Sequence, residues 1–223
     1  MNLFMSRVRI APLVAAFVLL AGSQQRASGE IDFGTIENSV YSNSFFGLTV
    51  QIPEHWHPQD QEVQRRFQKG GANLVLGHTN LTTGQKASFL QTVSLFAVTK
   101  YAAGTPANPN IGATAERVSQ LPDIGRGSDY LRQVKKLFES GQFPVSFPKE
   151  IYPEKIGGQL FDVLEIQIAM PKSKLRQTYY STIMKGYALN FSISFNTDED
   201  ELTLRNIVKT ARFGSHTESR GHE

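Results

Sequence analysis

Hydrophobic and polar residues alternate with a period of two along three stretches in the carboxyl-terminal half of the chain, 159–169, 175–184 and 187–196. In the last stretch the odd positions from Tyr187 to Phe195 are aromatic or aliphatic, whereas the even positions are alanine, asparagine and serine. Successive side chains of a β-strand point to opposite faces of a sheet. The pattern therefore predicts an antiparallel meander that turns one face to the core.

Glycines mark the turns of this meander. Lys185 and Gly186 form a two-residue turn between its last two strands, and Gly157 and Gly158 precede its first strand. Glycine is favoured in such turns because it adopts positive φ angles without steric cost. We expect Gly157, Gly158 and Gly186 to have structural roles.

A β-hairpin is predicted closer to the amino terminus, over residues 40–43 and 48–52, with Gly47 in its turn. Pro53 ends the second strand, because proline has no N–H group to donate to a ladder. Residues 89–100 are partly apolar on both faces, which is typical of a central strand that is covered on two sides. The residues that follow it are rich in glycine, proline and asparagine, and this composition predicts an exposed loop over 101–112.

Helical spacing of apolar residues predicts a short helix over 59–69 and a longer one over 129–140, for which Ser128 is the expected N-cap. A third helix is predicted after Thr197, which forms a capping-box pattern with Asp200. The acidic residues after Thr197 suit the first turn of a helix through its dipole. A calcium site is the alternative for these carboxylates, although their spacing is not that of an EF-hand.

The first 29 residues have the features of an export signal, because two arginines precede the apolar run 10–21 and small residues follow it. This run is shorter than the roughly twenty residues that span a bilayer. We therefore predict cleavage, after Ser23 or after Gly29, and no stable insertion in a membrane afterwards. The mature protein is expected to be bacterial and exported, to the periplasm or outside the cell.

Charge and cysteine content exclude several classes of function. Cleavage after Gly29 removes three arginines and no acidic residue, which brings 23 basic side chains to 20 and equals the 20 acidic ones. A near-neutral mature chain does not favour nucleic acid as a partner. The chain has no cysteine, so disulfides and thiolate sites are excluded. What remains is a single domain of ordinary size over 30–213, followed by a polar tail over 214–223.

His55-Trp56-His57 is the most conspicuous candidate site, since it places the only tryptophan between two histidines directly after a predicted strand. Two imidazoles at i and i+2 could bind a metal ion, and His55 and His57 are the candidate ligands. A catalytic zinc ion usually has three protein ligands, and no third one is fixed nearby in the sequence. We therefore expect Trp56, after Pro53, to close one end of the core, and the two histidines to face solvent.

No motif commits the chain to a catalytic chemistry. The sequence has neither a Gly-x-Ser-x-Gly elbow nor a phosphate-binding loop. Asp162 and Glu165 fall on opposite faces of one predicted strand, so they cannot act together as an acid and a base. We predict that the protein is not an enzyme, and that it needs no cofactor. A hydrolase whose active site forms only on folding is kept as an alternative.

Several of these segments together resemble a PsbP-like domain. They are the hairpin that ends in Leu48-Thr-Val-Gln-Ile-Pro-Glu-His-Trp56, the turn and strand Lys155-Ile-Gly-Gly-Gln-Leu-Phe161, the strands Gln177-Thr-Tyr-Tyr180 and Lys185-Gly-Tyr-Ala-Leu-Asn-Phe-Ser-Ile-Ser-Phe195, and the closing helix end Ile207-Val-Lys-Thr-Ala-Arg-Phe213. This resemblance covers residues 40–213. It implies an α+β fold, an α/β/α sandwich in which a central antiparallel sheet is flanked by helices.

The resemblance also implies a binding or assembly module and carries over no functional residue. Residues 101–126 look like an insertion relative to a minimal version of this fold. We expect an exported, non-enzymatic module of the cell envelope, whose partner is another envelope protein that contacts a sheet edge or the loop around 101–126. The alternative is a small-ligand or metal carrier that uses His55, Trp56 and His57.

Overall fold

The computed structural model describes residues 31–60, 62–64, 92–141, 144–170 and 173–214. The predicted signal peptide, the predicted helix beyond residue 64 and the predicted tail beyond residue 214 lie outside the described residues. Within the described ranges, no helix is both long enough and apolar enough to cross a membrane.

The strands are, in chain order, β1 (Thr35–Glu37), β2 (Val40–Asn43), β3 (Leu48–Gln51), β4 (His57–Pro58), β5 (Thr92–Thr99), β6 (Asn110–Arg117), β7 (Val145–Ser146), β8 (Tyr152–Ile156), β9 (Gln159–Met170), β10 (Ser173–Met184), β11 (Tyr187–Phe195) and β12 (Arg212–Phe213). Within these described ranges the two long helices are α1 (Gly127–Glu139) and α2 (Asp198–Lys209). Residues 62–64 form a helical turn.

The strands form two antiparallel sheets. The large sheet has the order β4-β5-β6-β11-β10-β9-β7, and β8 pairs with the first half of β9. The small sheet has the order β1-β2-β3-β12. This mostly antiparallel arrangement with separate helices is an α+β fold.

Each face of the large sheet has its own apolar cluster. The odd positions of β11 are almost fully buried against the small sheet and α2, together with Leu204, Ile207 and Val208 of that helix. On the other face, Leu131 and Phe138 of α1 pack on the even positions of β9. The two helices therefore lie on opposite faces, and the period-two pattern of the sequence decides which residues each of them covers.

The predicted meander and the first hairpin are confirmed. Pairing of β10 with both β9 and β11 runs in register along nearly the full strands. Lys185 and Gly186 have φ angles of 52° and 80° in the turn between β10 and β11. Gly157 and Gly158 connect β9 to a further strand, β8, which the sequence pattern had not predicted.

The predictions for residues 101–126 were wrong in part. This segment looked like a loop and an insertion, yet it contains β6, which lies between β5 and β11 in the middle of the large sheet. Only its two flanks are irregular. Ile111, Ala113 and Ala115 of β6 are at most 1 % exposed, so this strand is an integral part of the core.

The cap of α1 also differs from the prediction. The N-cap is Arg126 and not Ser128. The carboxylate of Asp129 accepts hydrogen bonds from the backbone N–H groups of Gly125 and Arg126, at 3.0 and 2.9 Å. The N–H group of Ser128 instead donates to Asp162 Oδ2 at 2.7 Å, which ties the start of the helix to β9. The capping prediction for Thr197 is confirmed, since its side chain accepts a hydrogen bond from the N–H group of Asp200.

Candidate functional site

The face of the large sheet that carries α1 becomes polar where it extends from β10 over β11, β6 and β5. Three rows of directly opposed residues cross these four strands. The floor row is Ala97, Gly112, Ser192 and Tyr179. The Thr114 row is Ser94, Thr114, Asn190 and Ser181. The Asn110 row is Thr99, Asn110, Ser194 and Gln177. We call these three rows the polar face.

The floor row is the lowest part of the polar face, because its middle positions carry the smallest side chains. Gly112 lies in the interior of β6 without a positive φ angle. A Cβ atom at this position would be 3.4 Å from Phe96 O and 3.7 Å from Ser192 Oγ, which are ordinary contacts. Neither backbone conformation nor crowding therefore requires glycine here. A glycine inside a strand often marks a place where another group approaches the backbone closely.

Hydrogen-bonding side chains border this floor on both sides. Residues i and i+2 of a strand are about 6.7 Å apart, so the Thr114 row and the Asn110 row are separated by about 13 Å across the floor. Among the described residues, no hydrogen bond reaches the hydroxyl groups of Thr114 and Ser192, which are half-buried. Gln177 Nε2 donates to Ser194 Oγ at 2.9 Å on the opposite side.

Two buried polar atoms in the Thr114 row have no hydrogen-bond partner among the described residues, Ser181 Oγ and Asn190 Oδ1. Ser181 is 0 % exposed and Asn190 is 4 % exposed, and the two residues are direct neighbours across β10 and β11. An unpaired buried polar atom costs about 1–3 kcal/mol. Such atoms are rare in folded proteins, and a buried water molecule is one partner that can satisfy them.

A buried carboxylate lies beside the polar face. Glu116 of β6 accepts a hydrogen bond from Tyr130 Oη of α1 at 2.8 Å and is 6 % exposed. Burial, together with the negative charge of Glu116, raises the pKa of Tyr130 well above its usual value. Tyr130 therefore stays protonated at neutral pH and acts as a hydrogen-bond donor. The pair holds α1 against the sheet.

The other face of the sheet carries an ion network between α2 and the strands. Arg205 of α2 donates to Glu165 Oε1, Glu201 Oε1 and Tyr180 Oη, each at 2.9 Å. Glu165 also accepts from Tyr152 Oη at 2.7 Å and from Lys149 Nζ at 3.1 Å. Burial would raise the pKa of Glu165, but these hydrogen bonds and the charge of Arg205 outweigh it and lower the pKa.

The two carboxylates of β9 attach helices to the large sheet. Asp162 and Glu165 lie on opposite faces of β9, as the sequence pattern predicts, and each of them is bonded to a different helix. Neither carboxylate is placed to work with the other one as an acid and a base.

His55 and Trp56 lie in the turn between β3 and β4, and His57 is the first residue of β4. The N–H group of Trp56 donates to Pro53 O at 3.0 Å. Trp56 is half-buried and packs on the main apolar cluster, whereas His55 and His57 are exposed. In the described part of the chain, no group of three or more His, Asp or Glu side chains could hold a metal ion.

The glycines for which we predicted structural roles all have positive φ angles. The angles are 63° at Gly47, 55° at Gly157, 89° at Gly158 and 80° at Gly186. A Cβ atom at Gly47 would lie 2.0 Å from Gly214 O, so the turn before β3 touches the chain after β12 directly.

A second surface lies at the end of the large sheet where the turn between β10 and β11 is found. Phe45 and Tyr187 are in edge contact at 5.5 Å between ring centroids. Lys185 Nζ lies 5.3 Å from the centroid of Phe45, and the guanidinium of Arg117 lies 5.5 Å from that of Tyr187. Leu121 belongs to the segment that donates to Gly186 O, and it is 44 % exposed. We call Phe45, Arg117, Leu121 and Lys185 the turn-end surface, and Tyr187, which is 6 % exposed, supports it from the core.

The sequence analysis missed the polar face because half of it lies on β6. One signal was available, since the even positions of residues 187–196 are small or polar. A second signal was the same alternation over Asn110–Arg117, in which asparagine, glycine, threonine and glutamate alternate with isoleucine, alanine, alanine and arginine. No sequence signal indicates that the two patterns lie side by side.

Similarity to known proteins concerns the fold. No protein-family model matches the sequence, and no curated protein matches it. The solution structure of cyanobacterial PsbP (CyanoP) from Synechocystis sp. PCC 6803 is similar, with 13 % identity, a TM-score of 0.49 and coverage of 86 % of this chain and 100 % of that one.

Two further solved structures are similar. LpqN of Mycobacterium tuberculosis, which is involved in cell envelope biogenesis, has 10 % identity and a TM-score of 0.39, covering 74 % of this chain and 82 % of that one. PA94 of Pseudomonas aeruginosa, of unknown function, has 17 % identity and a TM-score of 0.36, covering 53 % and 78 %. The PsbP-like fold that the sequence predicts is thus found among the similar structures. At this identity and these TM-scores, the likeness carries no argument about function.

Proposed function

We propose that the protein is an exported, non-enzymatic binding or assembly module of the cell envelope, and that the polar face is its ligand-binding surface. The observation that carries this proposal is the floor row with its hydrogen-bonding borders. Interior strands of a sheet that is covered on both faces normally carry large apolar side chains. Here Gly112, Ala97 and Ser192 place small side chains beside the half-buried hydroxyl groups of Thr114 and Ser192, and a binding site uses a few such polar groups to orient its ligand.

The contacts of the charged groups support a non-enzymatic role. A catalytic acid or base has to reach the reacting atoms. Glu165 and Asp200 are bonded to cations, at 2.9 Å from Arg205 and 2.7 Å from Lys100. Asp162 accepts a hydrogen bond from the start of α1. These carboxylates stabilise the packing of helices and loops, which explains their burial without a reaction.

The layers of the domain fit this proposal. We infer the α/β/α sandwich that the resemblance implies, with α1 on one side of the large sheet and α2 with the small sheet on the other. In this arrangement one face holds the main apolar core, since its buried residues are aromatic and aliphatic. The other face can then differ in composition on β5, β6 and β11, and these strands, together with the residues of β10 next to α1, form the polar face.

The proposal is tested with a single fluorescent label. The chain has no cysteine, so Glu223→Cys allows labelling at one position. The unfolding temperature of the labelled protein is then followed in a soluble envelope extract of the source organism. We expect the extract to raise this temperature, because a ligand that binds only the folded state stabilises it.

The matched variants of this experiment are Gly112→Ala and Gly125→Ala. Gly112→Ala adds a methyl group to the floor, so it should reduce the shift by half or more. Gly125→Ala is the control, since its Cβ atom would have no neighbour closer than 3.8 Å and Gly125 lies outside the polar face. An equal shift for both variants, or no shift for the unsubstituted protein, contradicts the proposal.

An assembly role has a separate candidate surface, the turn-end surface. Aromatic residues and arginine are enriched at the centres of protein interfaces. This surface combines them with an exposed leucine, and it includes Arg117 and Leu121 of the segment around 101–126 that we expect to contact an envelope protein. Arg117→Ala together with Leu121→Ala should abolish cross-linking to that partner in envelope extracts. Arg132→Ala on α1 should leave cross-linking unchanged, and loss in both variants would contradict the assignment.

A further inference from the structure

We propose that one end of the domain binds the surface of an anionic lipid bilayer, with Leu160 inserted among the headgroups and with lysine and arginine side chains around it. The inference goes beyond the proposed function and does not depend on it, because neither the polar face nor Leu121 enters it. Two observations carry it, the distribution of the exposed charges and the position of one exposed leucine.

Several parts of the chain meet at the end of the large sheet that carries the turn between β10 and β11. Lys185 of this turn donates a hydrogen bond to Phe45 O, in the turn between β2 and β3. That second turn also accepts a hydrogen bond from the N–H group of Gly214, just after β12, at 2.9 Å. A Cβ atom at Gly157, between β8 and β9, would lie 2.5 Å from Ala211 O, just before β12. Three turns and both flanks of β12 therefore lie together.

The exposed charges at this end are mostly positive. Six exposed cationic side chains, which we call the basic end, are Arg117, Arg126, Lys155, Lys185, Lys209 and Arg212. Among the carboxylates of the described residues there, only that of Asp123 is exposed. The others are at least partly buried, and all but the last accept hydrogen bonds within the domain: Asp32, Glu116, Asp129, Asp162 and Glu154. An approaching anionic surface therefore meets the cations first.

The rest of the chain does not reverse this charge. Residues 65–91, which lie outside the described ranges, contain no aspartate or glutamate, so they add no negative side chain to the basic end. The tail beyond residue 214 contains two glutamates and one arginine. At the opposite end of the strands, the first turn of α2 consists of acidic residues, Asp198, Glu199, Asp200 and Glu201. A negatively charged surface therefore orients the domain with its basic end forward.

Leu160 lies among these cations and is 63 % exposed. It is directly opposite Lys155 in the pairing of β8 with β9. It is also two residues before Asp162, against which the start of α1 packs at Gly127. Since residues i and i+2 of a strand are about 6.7 Å apart, Leu160 projects just beyond the helix, near the N-cap residue Arg126. The helix therefore leaves Leu160 uncovered, with a cation on either side.

An exposed leucine is common in folded proteins and indicates nothing by itself. Leu202 of α2 is 62 % exposed, but it follows the acidic first turn of its helix. The cationic neighbours of Leu160 make the difference. Peripheral proteins bind a bilayer through apolar side chains that enter the headgroup region and basic side chains that contact anionic lipids. Leucine is under-represented among the residues that dominate protein interfaces, so a lipid surface suits Leu160 better than an acidic protein does.

Co-sedimentation with vesicles tests the inference on the full mature chain. The vesicles contain equal parts of phosphatidylcholine and phosphatidylglycerol, and vesicles of phosphatidylcholine alone are the neutral comparison. We expect the protein to bind the anionic vesicles and not the neutral ones. High salt should release it, because mobile ions screen the attraction between exposed charges.

Two pairs of matched variants locate the contact. Leu160→Ser should weaken vesicle binding by about tenfold, since it removes the inserted apolar side chain. Leu202→Ser, at an equally exposed leucine, should leave it within about twofold. Lys155→Gln should weaken binding by about fivefold, whereas Lys174→Gln, at an exposed lysine of the opposite end, should leave it within about twofold. All four side chains are exposed, so the fold should tolerate each change.

Several results would overturn the inference. They include no binding to anionic vesicles, equal binding to both kinds of vesicle, and an equal loss in Leu160→Ser and Leu202→Ser. Soluble polyglutamate that binds as tightly as the anionic vesicles, in a manner independent of Leu160, would assign the basic end to an acidic protein instead. Salt-sensitive oligomers in sedimentation velocity without lipid, which require both Leu160 and Leu202, would assign it to a second copy of the chain.

Discussion

Gly127 lies directly against the sheet at the start of α1. A Cβ atom there would lie 2.0 Å from Ser181 O and 2.7 Å from its carbonyl carbon, both of them backbone atoms that cannot move alone. We predict that Gly127→Ala lowers the free energy of unfolding by about 1–3 kcal/mol, the usual cost of overpacking. Urea denaturation measures it. Gly125→Ala, two residues earlier in the chain, has room and should change stability by less than about 0.5 kcal/mol.

Gly112 should show the opposite effect on stability. Glycine inside a strand costs about 0.5–1 kcal/mol relative to alanine, and a Cβ atom fits at this position. Gly112→Ala should therefore raise the free energy of unfolding by about that amount while it reduces ligand binding. A loss of stability in urea denaturation would mean that the floor is more crowded than its contacts indicate. A gain in stability with a loss of binding is the pattern expected where a residue is kept for function.

Substitutions of Trp56 and of the two neighbouring histidines should have different effects on the free energy of unfolding, measured by urea denaturation. Trp56 packs on the main cluster, so Trp56→Ala should lower the free energy of unfolding by about 1–3 kcal/mol, in proportion to a half-buried ring. His55→Ala and His57→Ala, which alter exposed side chains, should stay within about 0.5 kcal/mol. Micromolar zinc or copper that raises the melting temperature, in a way that needs both histidines, would instead support the metal-carrier alternative.

Local sequence rules predicted some of these residues and failed for others for a physical reason. The cap at Thr197 depends on neighbours three residues apart, so the sequence contains all of its partners. Ser128 also looked like a cap, but its N–H group bonds to Asp162, 34 residues away. Gly127 is required by the backbone of Ser181, which is still farther away in the sequence. Contacts of this kind follow from strand order, and no local pattern encodes them.

At the scale of elements, strands were predictable where the large residues alternate and not where the small ones do. β9, β10 and β11 alternate bulky apolar residues with polar ones, and their predicted ranges agree with the structure to within about two residues. β6 also alternates, but its buried positions include Ala113 and Ala115, and glycine and asparagine lower its strand propensity. The residues that build the polar face therefore made its central strand resemble a loop.

The attachment of α2 to the sheet depends on Arg205. This guanidinium joins Glu201 of its own helix to Glu165 and Tyr180 of the sheet, and its side chain is 19 % exposed. Arg205→Leu removes these bonds and leaves Glu165 with less compensation for its burial. We predict that this change lowers the free energy of unfolding by about 2–4 kcal/mol, somewhat less than the cost of breaking a fully buried pair. Urea denaturation measures the difference.

The control for this prediction is Arg132→Leu on α1. Arg132 is bonded to Asp129, and its side chain is 56 % exposed. Surface pairs contribute about 0–1 kcal/mol, so this change should be small. Equal losses in the two variants would show that the position of Arg205 between helix and sheet is not what matters.

For the molecule as a whole, the two faces of the large sheet differ in composition and in role. The layer between this sheet, α2 and the small sheet contains the largest buried rings, including Tyr41, Phe96, Phe161 and Phe191, and it supplies most of the hydrophobic stabilisation. On the α1 face the apolar packing involves β9, β10 and β7. The sequence predicts such a division for β11 alone, and the extent of the polar face follows only from the order in which β5, β6, β11 and β10 are paired.

Acid should destabilise the whole domain through the carboxylates that hold its layers together. The folded-state pKa values of Glu165 and Asp200 are lowered, because hydrogen bonds from Tyr152 and Lys149 in one case, and from Lys100 and Thr197 in the other, outweigh the effect of burial. A carboxyl group whose pKa is lower in the folded state stabilises the protein above its unfolded-state value, near 4. That stabilisation is lost as the pH falls through the folded-state pKa.

We therefore predict a free energy of unfolding that falls steeply below about pH 4, measured by urea denaturation from pH 7 to pH 3. Glu165→Gln should be less stable than the unsubstituted protein at pH 7, and the difference should shrink towards pH 3, where the original carboxyl group also becomes neutral. Glu139→Gln, at an exposed position of α1, should differ by less than about 0.5 kcal/mol throughout. A deficit of Glu165→Gln that stays constant with pH would mean that the ion network stabilises the fold through its shape and not through its charge.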